Sequence, residues 1–163
     1  MVAHSFSKSY LMTGWRLGWL VLPPSMTSAM GKLIEFNTSC ASVFTQRAGL
    51  AALQRRDEVT PRVVRHLQAC RDTLVPALQS LPGLKVASPK GGMYAFFELP
   101  GHSDSLVTAK RLVTEAGLGL APGAAFAPEA GSWLRWCCAS KDLGRLTQGV
   151  ERLRGWLETA KPL

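Results

Sequence analysis

No apolar run in this 163-residue chain reaches the roughly 20 residues that a membrane-spanning helix needs. The first residues carry neither the basic start nor the apolar core of a secretory leader. Cysteine is sparse, at Cys40, Cys70, Cys137 and Cys138, with no Cys-x-x-Cys pair. Neighbouring cysteines rarely bridge each other, so reduced thiols and a cytoplasmic location are expected. His4, His66 and His102 have no metal-ligand spacing, and Cys137 and Cys138 would point to opposite faces of a strand, so no metal site is expected. The glycines at 117, 119 and 123 have the wrong spacing for a dinucleotide loop and follow a helix rather than opening one. There is no internal repeat and no low-complexity tract.

Acid is also in short supply, at 11 aspartates and glutamates against 19 lysines and arginines, a net charge of +8. Such an excess is compatible with a nucleic-acid-binding module. The densest set, Arg47, Arg55, Arg56, Arg62, Arg65 and Arg71, alternates with apolar residues at helical spacing, which reads better as a solvated helix face. What remains is a globular composition, 47% hydrophobic and 18% charged, in a chain long enough to bury a core.

The stretch that organises the chain is Ser5-Phe6-Ser7-Lys8-Ser9-Tyr10, followed by Met12-Thr13-Gly14-Trp15-Arg16-Leu17-Gly18-Trp19. A lysine used as an amine nucleophile must shed its charge, which desolvation or a neighbouring cation promotes. Arg16 can bind a phosphate dianion through two parallel hydrogen bonds, and Ser5 and Ser7 can donate hydroxyl protons to the same anion. Gly14 and Gly18 permit tight turns beside a bulky group. Taken singly, each residue reads equally well as part of an ordinary surface loop before a strand.

Taken together, Ser-Phe-Ser-Lys and Met-Thr-Gly-Trp-Arg-x-Gly resemble the lysine region of class I/II aminotransferases, enzymes of the fold type I pyridoxal-phosphate (PLP) family. The resemblance implies that Lys8 forms a Schiff base with PLP and acts as the catalytic proton carrier. It implies that Ser5 and Arg16 hold the cofactor phosphate. A second segment, Pro122-Gly123-Ala124-Ala125-Phe126 leading to Leu134-Arg135-Trp136, resembles the family's Pro-Gly-x-x-Phe…Arg run. The resemblance implies that its arginine, here Arg135, grips the substrate α-carboxylate. Ala127 stands where the family usually has glycine. An arginine between tryptophans is costly to bury unless its donors find an anion; the bland alternative is an exposed arginine on an edge strand.

The fold class implied is α/β, the C-terminal portion of the fold type I PLP-transferase fold. Residues 1–70 would be the remnant of the large PLP-binding domain and residues 71–163 the small C-terminal α/β domain, joined by a long helix. The expected function is transfer of an amino group between an amino acid and a 2-oxo acid, in a homodimeric enzyme. The family's ring-nitrogen aspartate and glycine-containing phosphate loop lie earlier than any residue here, so this chain by itself is expected to be a truncation or partial record and a poor catalyst. A non-catalytic fragment kept for packing or dimerisation, and a related PLP-dependent lyase or synthase, remain open.

The pattern along the chain predicts a buried strand over Trp15–Leu22, helices over Ser25–Phe36 and from Val43 to about Arg56, and a long helix over Glu58–Leu81 that Pro76 should kink or divide. Strands are expected at Leu84–Ala87, Met93–Leu99, Leu118–Ala121 and Trp133–Ala139. Asp104 or Ser103 should cap a helix burying Leu106, Val107, Leu112 and Val113 and ending at Gly117. Ser140 should cap a last helix with the stripe Leu143, Leu146, Val150, Leu153 and Leu157.

Overall fold

A computed structural model describes residues 1–160, so the last three positions of the expected 71–163 domain lie outside the described residues. The chain forms two compact units, Met1–Arg65 and His66–Leu163.

In the first unit, strand β1 (Val2–Ser5) pairs antiparallel with β2 (Gly18–Val21), Ser5 opposite Gly18 and Val2 opposite Val21. Gly18 is required there, because a Cβ would stand 2.5 Å from the carbonyl oxygen of His4. The expected strand over Trp15–Leu22 is shorter and not buried: Thr13–Trp15 is a 3-10 turn, and Trp19, Leu20 and Val21 are exposed. Among the described residues its apolar run has only one neighbouring strand, and every residue of both strands stays exposed. Helices α1 (Thr27–Thr38) and α2 (Val43–Gln54) follow. The α2 backbone comes down on Phe6 and Leu17 at Gly49, where a Cβ would lie 2.5 Å from Leu17 Cδ2 and 3.2 Å from Phe6 Cζ.

Helix α3 (Arg56–Gln79) crosses the division between the units. Pro76 does not divide it. The proline ring removes one donor, while its carbonyl still accepts the N–H of Ser80 at 3.0 Å. The apolar stripe is fully buried only from Cys70 onward, through Leu74, Leu78 and Leu81.

The second unit is a four-stranded antiparallel sheet in the order β3 (Lys85–Val86), β4 (Tyr94–Glu98), β6 (Trp133–Cys137), β5 (Ala121–Pro122). Alternation along the two central strands sends Ala95, Phe97, Leu134 and Trp136 into the core. There they meet the end of α3, helix α4 (Ser105–Ala116) and helix α5 (Gly144–Thr159).

Asp104 caps α4, accepting the N–H groups of Leu106 and Val107 at 3.0 Å, and Gly117 ends it at φ 65°. The buried face of α4 differs from expectation. Leu106, Val107 and Val113 are exposed, whereas Ser105, Thr108, Ala109 and Leu112 are buried. Apolar residues occur on more than one side of this helix, and close packing on the sheet selects the side with the smaller groups. Ser140 does not cap α5. Asp142 accepts the Gly144 N–H at 2.8 Å, and Ser140 instead donates to the carbonyl of Asp142.

Candidate functional site

The loop between β1 and β2 is anchored by two buried side chains, Phe6 and Met12. The Phe6 ring packs against Tyr10 and Trp19 at centroid distances of 5.1 and 5.0 Å, and the Phe6 N–H extends the strand ladder by donating to Leu17. Met12 returns its N–H to the carbonyl of Phe6, closing the loop on itself. Lys8 opens a tight turn, its carbonyl accepting from the N–H of Leu11 at 3.2 Å, and its side chain is exposed. Desolvation, one of the two ways in which a lysine can shed its charge, is therefore not supplied by the residues around it in this unit.

Three hydrogen bonds connect the residues that the sequence singled out. Ser5 Oγ accepts the Ser7 N–H at 3.1 Å, Thr13 Oγ1 donates to the Ser7 carbonyl at 3.1 Å, and Arg16 donates to the Thr13 carbonyl at 2.8 Å. Thr13 is the link that sequence reasoning passed over; its place inside the quoted Met-Thr-Gly-Trp-Arg run was the available signal. Arg16 sits in the left-handed region at φ 51°, ψ 52°, an uncommon conformation for a non-glycine residue and one that clusters at functional sites.

The donor set suits a phosphate dianion. The Ser5 hydroxyl keeps its proton free while its oxygen accepts, and Arg16 spends one N–H of its five on Thr13. No aspartate or glutamate occurs before Glu35, so no carboxylate from this stretch competes for Lys8 or Arg16. Ser7 is held through its backbone on both sides by Ser5 and Thr13.

In the second unit, Arg135 lies on β6, which runs between β4 and β5 and is not an edge strand. Its guanidinium contacts two aromatic rings, with Cζ 4.2 Å from the Tyr94 ring centroid and 3.8 Å from that of Phe126. Phe96 lies opposite Arg135 in register, and stacks on Trp133 at 5.1 Å. Glu98, the carboxylate of the same sheet face, is engaged elsewhere. Lys85 Nζ stands 2.7 Å from it, and the Ser132 hydroxyl donates to it at 3.2 Å. The Lys85 hydrogen bond, with Ser132 adding to it, holds the Glu98 carboxyl below the usual glutamate range. Arg135 therefore keeps its edge donors without an acid partner among the described residues.

Fold and donor sets together define an α/β chain with a lysine in a loop rich in anion donors, and a separate strand carrying an aromatic-clamped arginine. The profile of the aminotransferase class I and II family matches residues 1–153, and the chain belongs to that family. It is 32% identical over 165 residues to an aspartate aminotransferase of Pyrococcus horikoshii, covering 99% of this chain and 42% of that protein. It is 31% identical over 176 residues to a bifunctional aspartate aminotransferase and glutamate/aspartate-prephenate aminotransferase of Petunia hybrida, covering 99% of this chain and 36% of that one. Among solved structures, an aminotransferase from Mycobacterium tuberculosis superposes with a TM-score of 0.88 at 30% identity, over 97% of this chain and 41% of the other. The chain thus spans about two-fifths of the length of such relatives. Its fold is part of the PLP-dependent aminotransferase fold.

Proposed function

We propose that this chain carries the lysine-bearing and carboxylate-binding parts of a PLP-dependent aminotransferase, which moves an amino group between an amino acid and a 2-oxo acid. The observation that carries the reading is the hydrogen-bonded series Ser5, Ser7, Thr13, Arg16 around Lys8, in a stretch without acids. In this reading Arg16 and Ser5 hold the phosphate of pyridoxal 5'-phosphate, and the Lys8 amine holds its aldehyde carbon. When bound, the cofactor supplies an electron sink for the bond broken at the substrate α-carbon. Lys8 Nζ, once released, takes and returns the α-proton as a general base and acid. Arg135 fixes the amino acid through its carboxylate, with the guanidinium plane held by Tyr94 and Phe126.

Residues 1–70 are read as the end of the cofactor-binding domain and residues 71–163 as the small domain; the compact units, parting inside α3, support a division in that helix. The reading places the enzyme in the cytoplasm as a homodimer. Free thiols at all four cysteines suit a reducing compartment, and no helix among the described residues is long and apolar enough to cross a membrane. The homodimer rests on the family alone.

Incubation of the chain with pyridoxal phosphate, borohydride reduction and peptide mapping tests the site. The expected result is label concentrated on Lys8, lost selectively in Arg16→Ala and partly kept in Arg16→Lys, which retains the charge but not the bidentate fork. Label on Lys32, Lys90 or Lys141 in preference to Lys8 would remove Lys8 from its role.

A further inference from the structure

Away from the Lys8 loop and Arg135, the second unit contains a cleft of about 460 Å³ between the N-terminal half of α5, the chain leaving β6, and the end of α4. That volume lies within the range of small-ligand sites. Its lining includes Lys141, Arg145, Gln148 and Arg152, together with Trp136 and Gly117. Arg145, Gln148 and Arg152 share one face of α5, because residues three, four and seven apart line up on a helix. We propose that this cleft is a binding site for a small polyanion, a molecule bearing two or more phosphate or carboxylate groups.

Three observations support it. No aspartate or glutamate lines the cleft. Asp142, next to Lys141 in sequence, is turned to the N–H of Gly144. Among the described residues, the side chains of Lys141, Arg145 and Arg152 make no hydrogen bond or ion pair, as is also true of Lys90 and Lys110, whereas Arg71, Lys85, Arg111 and Arg154 of the same unit each hold a carboxylate. Concentrating three uncompensated cations in one concavity raises the local potential, which an anionic ligand relieves.

The cleft is also built rather than incidental. A Cβ at Gly149 would lie 2.6 Å from Trp136 Cζ2, so α5 rests directly on the indole and its distance from β6 is fixed. Gly117 leaves room for the Arg152 guanidinium, whose Nη1 is 3.1 Å from where a Cβ would stand. Arg145 and Arg152 are about 10 Å apart along the helix axis, so two long forks, with Lys141 in the same lining, suit a ligand with more than one anionic group.

Calorimetric titration of the chain with sodium pyrophosphate, and separately with citrate, tests the site. Saturable binding is expected, weakened several-fold when salt is raised from about 0.05 to 0.2 M, as screening of exposed charges requires. The double variant Arg145→Ala/Arg152→Ala should weaken Kd at least about ten-fold, that is 1.4 kcal/mol. Arg154→Ala, a cation on the other side paired with Glu151, should leave Kd unchanged. Arg16→Ala should also leave it unchanged, which separates this cleft from the proposed cofactor phosphate site. Tighter binding of pyrophosphate identifies a phosphate-bearing ligand, and tighter binding of citrate a polycarboxylate. The proposal falls if neither anion binds saturably up to about ten times the millimolar range typical of weak ligands. It falls equally if the double variant binds like the wild type, if affinity follows Arg16 instead, or if only a nucleic-acid duplex binds.

Discussion

At the scale of single residues, Arg135 shows how a strand can present a charge without burying it. The rings of Tyr94 and Phe126 lie 4.2 and 3.8 Å from the guanidinium carbon, Lys85 and Ser132 occupy Glu98, and no acid among the described residues pairs with the guanidinium. A charge-assisted bidentate pair, broken so that one partner stays buried, costs about 2–5 kcal/mol. In the assembled enzyme, Arg135→Ala should therefore lower kcat/KM for amino acids by about 30-fold to several thousand-fold. Borohydride labelling at Lys8 should persist, and amines without a carboxylate should lose much less. If labelling and turnover disappeared together, Arg135 would be a structural residue.

At the scale of elements, α4 and α5 are tied by a carboxylate rather than by apolar packing alone. The Trp156 indole N–H donates to Glu115 at 2.7 Å, and Arg111 donates to the same carboxylate at 2.9 Å. The Arg111 hydrogen bond first, and that from Trp156 second, hold the Glu115 carboxyl below its ordinary value. In acid the unfolded chain then binds the proton more readily than the folded one. The contribution of Glu115 is thus present above the unfolded value of about 4.3 and is lost as pH falls through the lower folded value. Urea midpoints should fall more steeply between about pH 5 and pH 3 in the wild type than in Glu115→Gln. Parallel curves would show that the pair does not couple to folding.

The elements also show what was legible in the sequence. Ser5, Ser7, Lys8 and Arg16 could be read as parts of one loop because they are near neighbours in the chain, and local spacing carries that information. The inward and outward alternation of β6 could be read for the same reason. The clamp on Arg135 could not, because Tyr94 joins it through the register of β4 on β6, a pairing of distant segments. The buried side of α4 is not legible in the sequence, because Leu106, Val107 and Val113 are as apolar as Leu112, and only the facing sheet decides among them. Ser140 was a plausible cap for α5 by residue type, but Asp142, two residues nearer, reached the free N–H.

At the scale of the molecule, the two units differ in how much they bury. Among residues 1–65 only Phe6, Met12 and Gly49 are buried, and the two-stranded sheet exposes every residue of both strands. The second unit encloses Leu74, Leu78, Phe97, Leu112, Leu134, Val150 and Leu153 with almost no exposure. Opening free energy tracks buried apolar surface, and elements with little of it open locally well below the cost of global unfolding. A two-stranded hairpin is marginal in water by itself. Amide hydrogen exchange should therefore be slow across β4, β6 and the buried face of α5. It should be faster by orders of magnitude across β1 and β2, with Phe6, donating to Leu17 beside a buried ring, the most protected amide of the Lys8 loop. Pyridoxal phosphate at Lys8 and Arg16 should slow exchange at Phe6, Ser7 and Met12 specifically, because ligand binding to the ordered loop shifts its opening equilibrium by mass action. Uniform protection across both units, or slowing spread evenly along the chain on adding the cofactor, would show that the loop does not open as a separate element and that Lys8 is not at a preferred site.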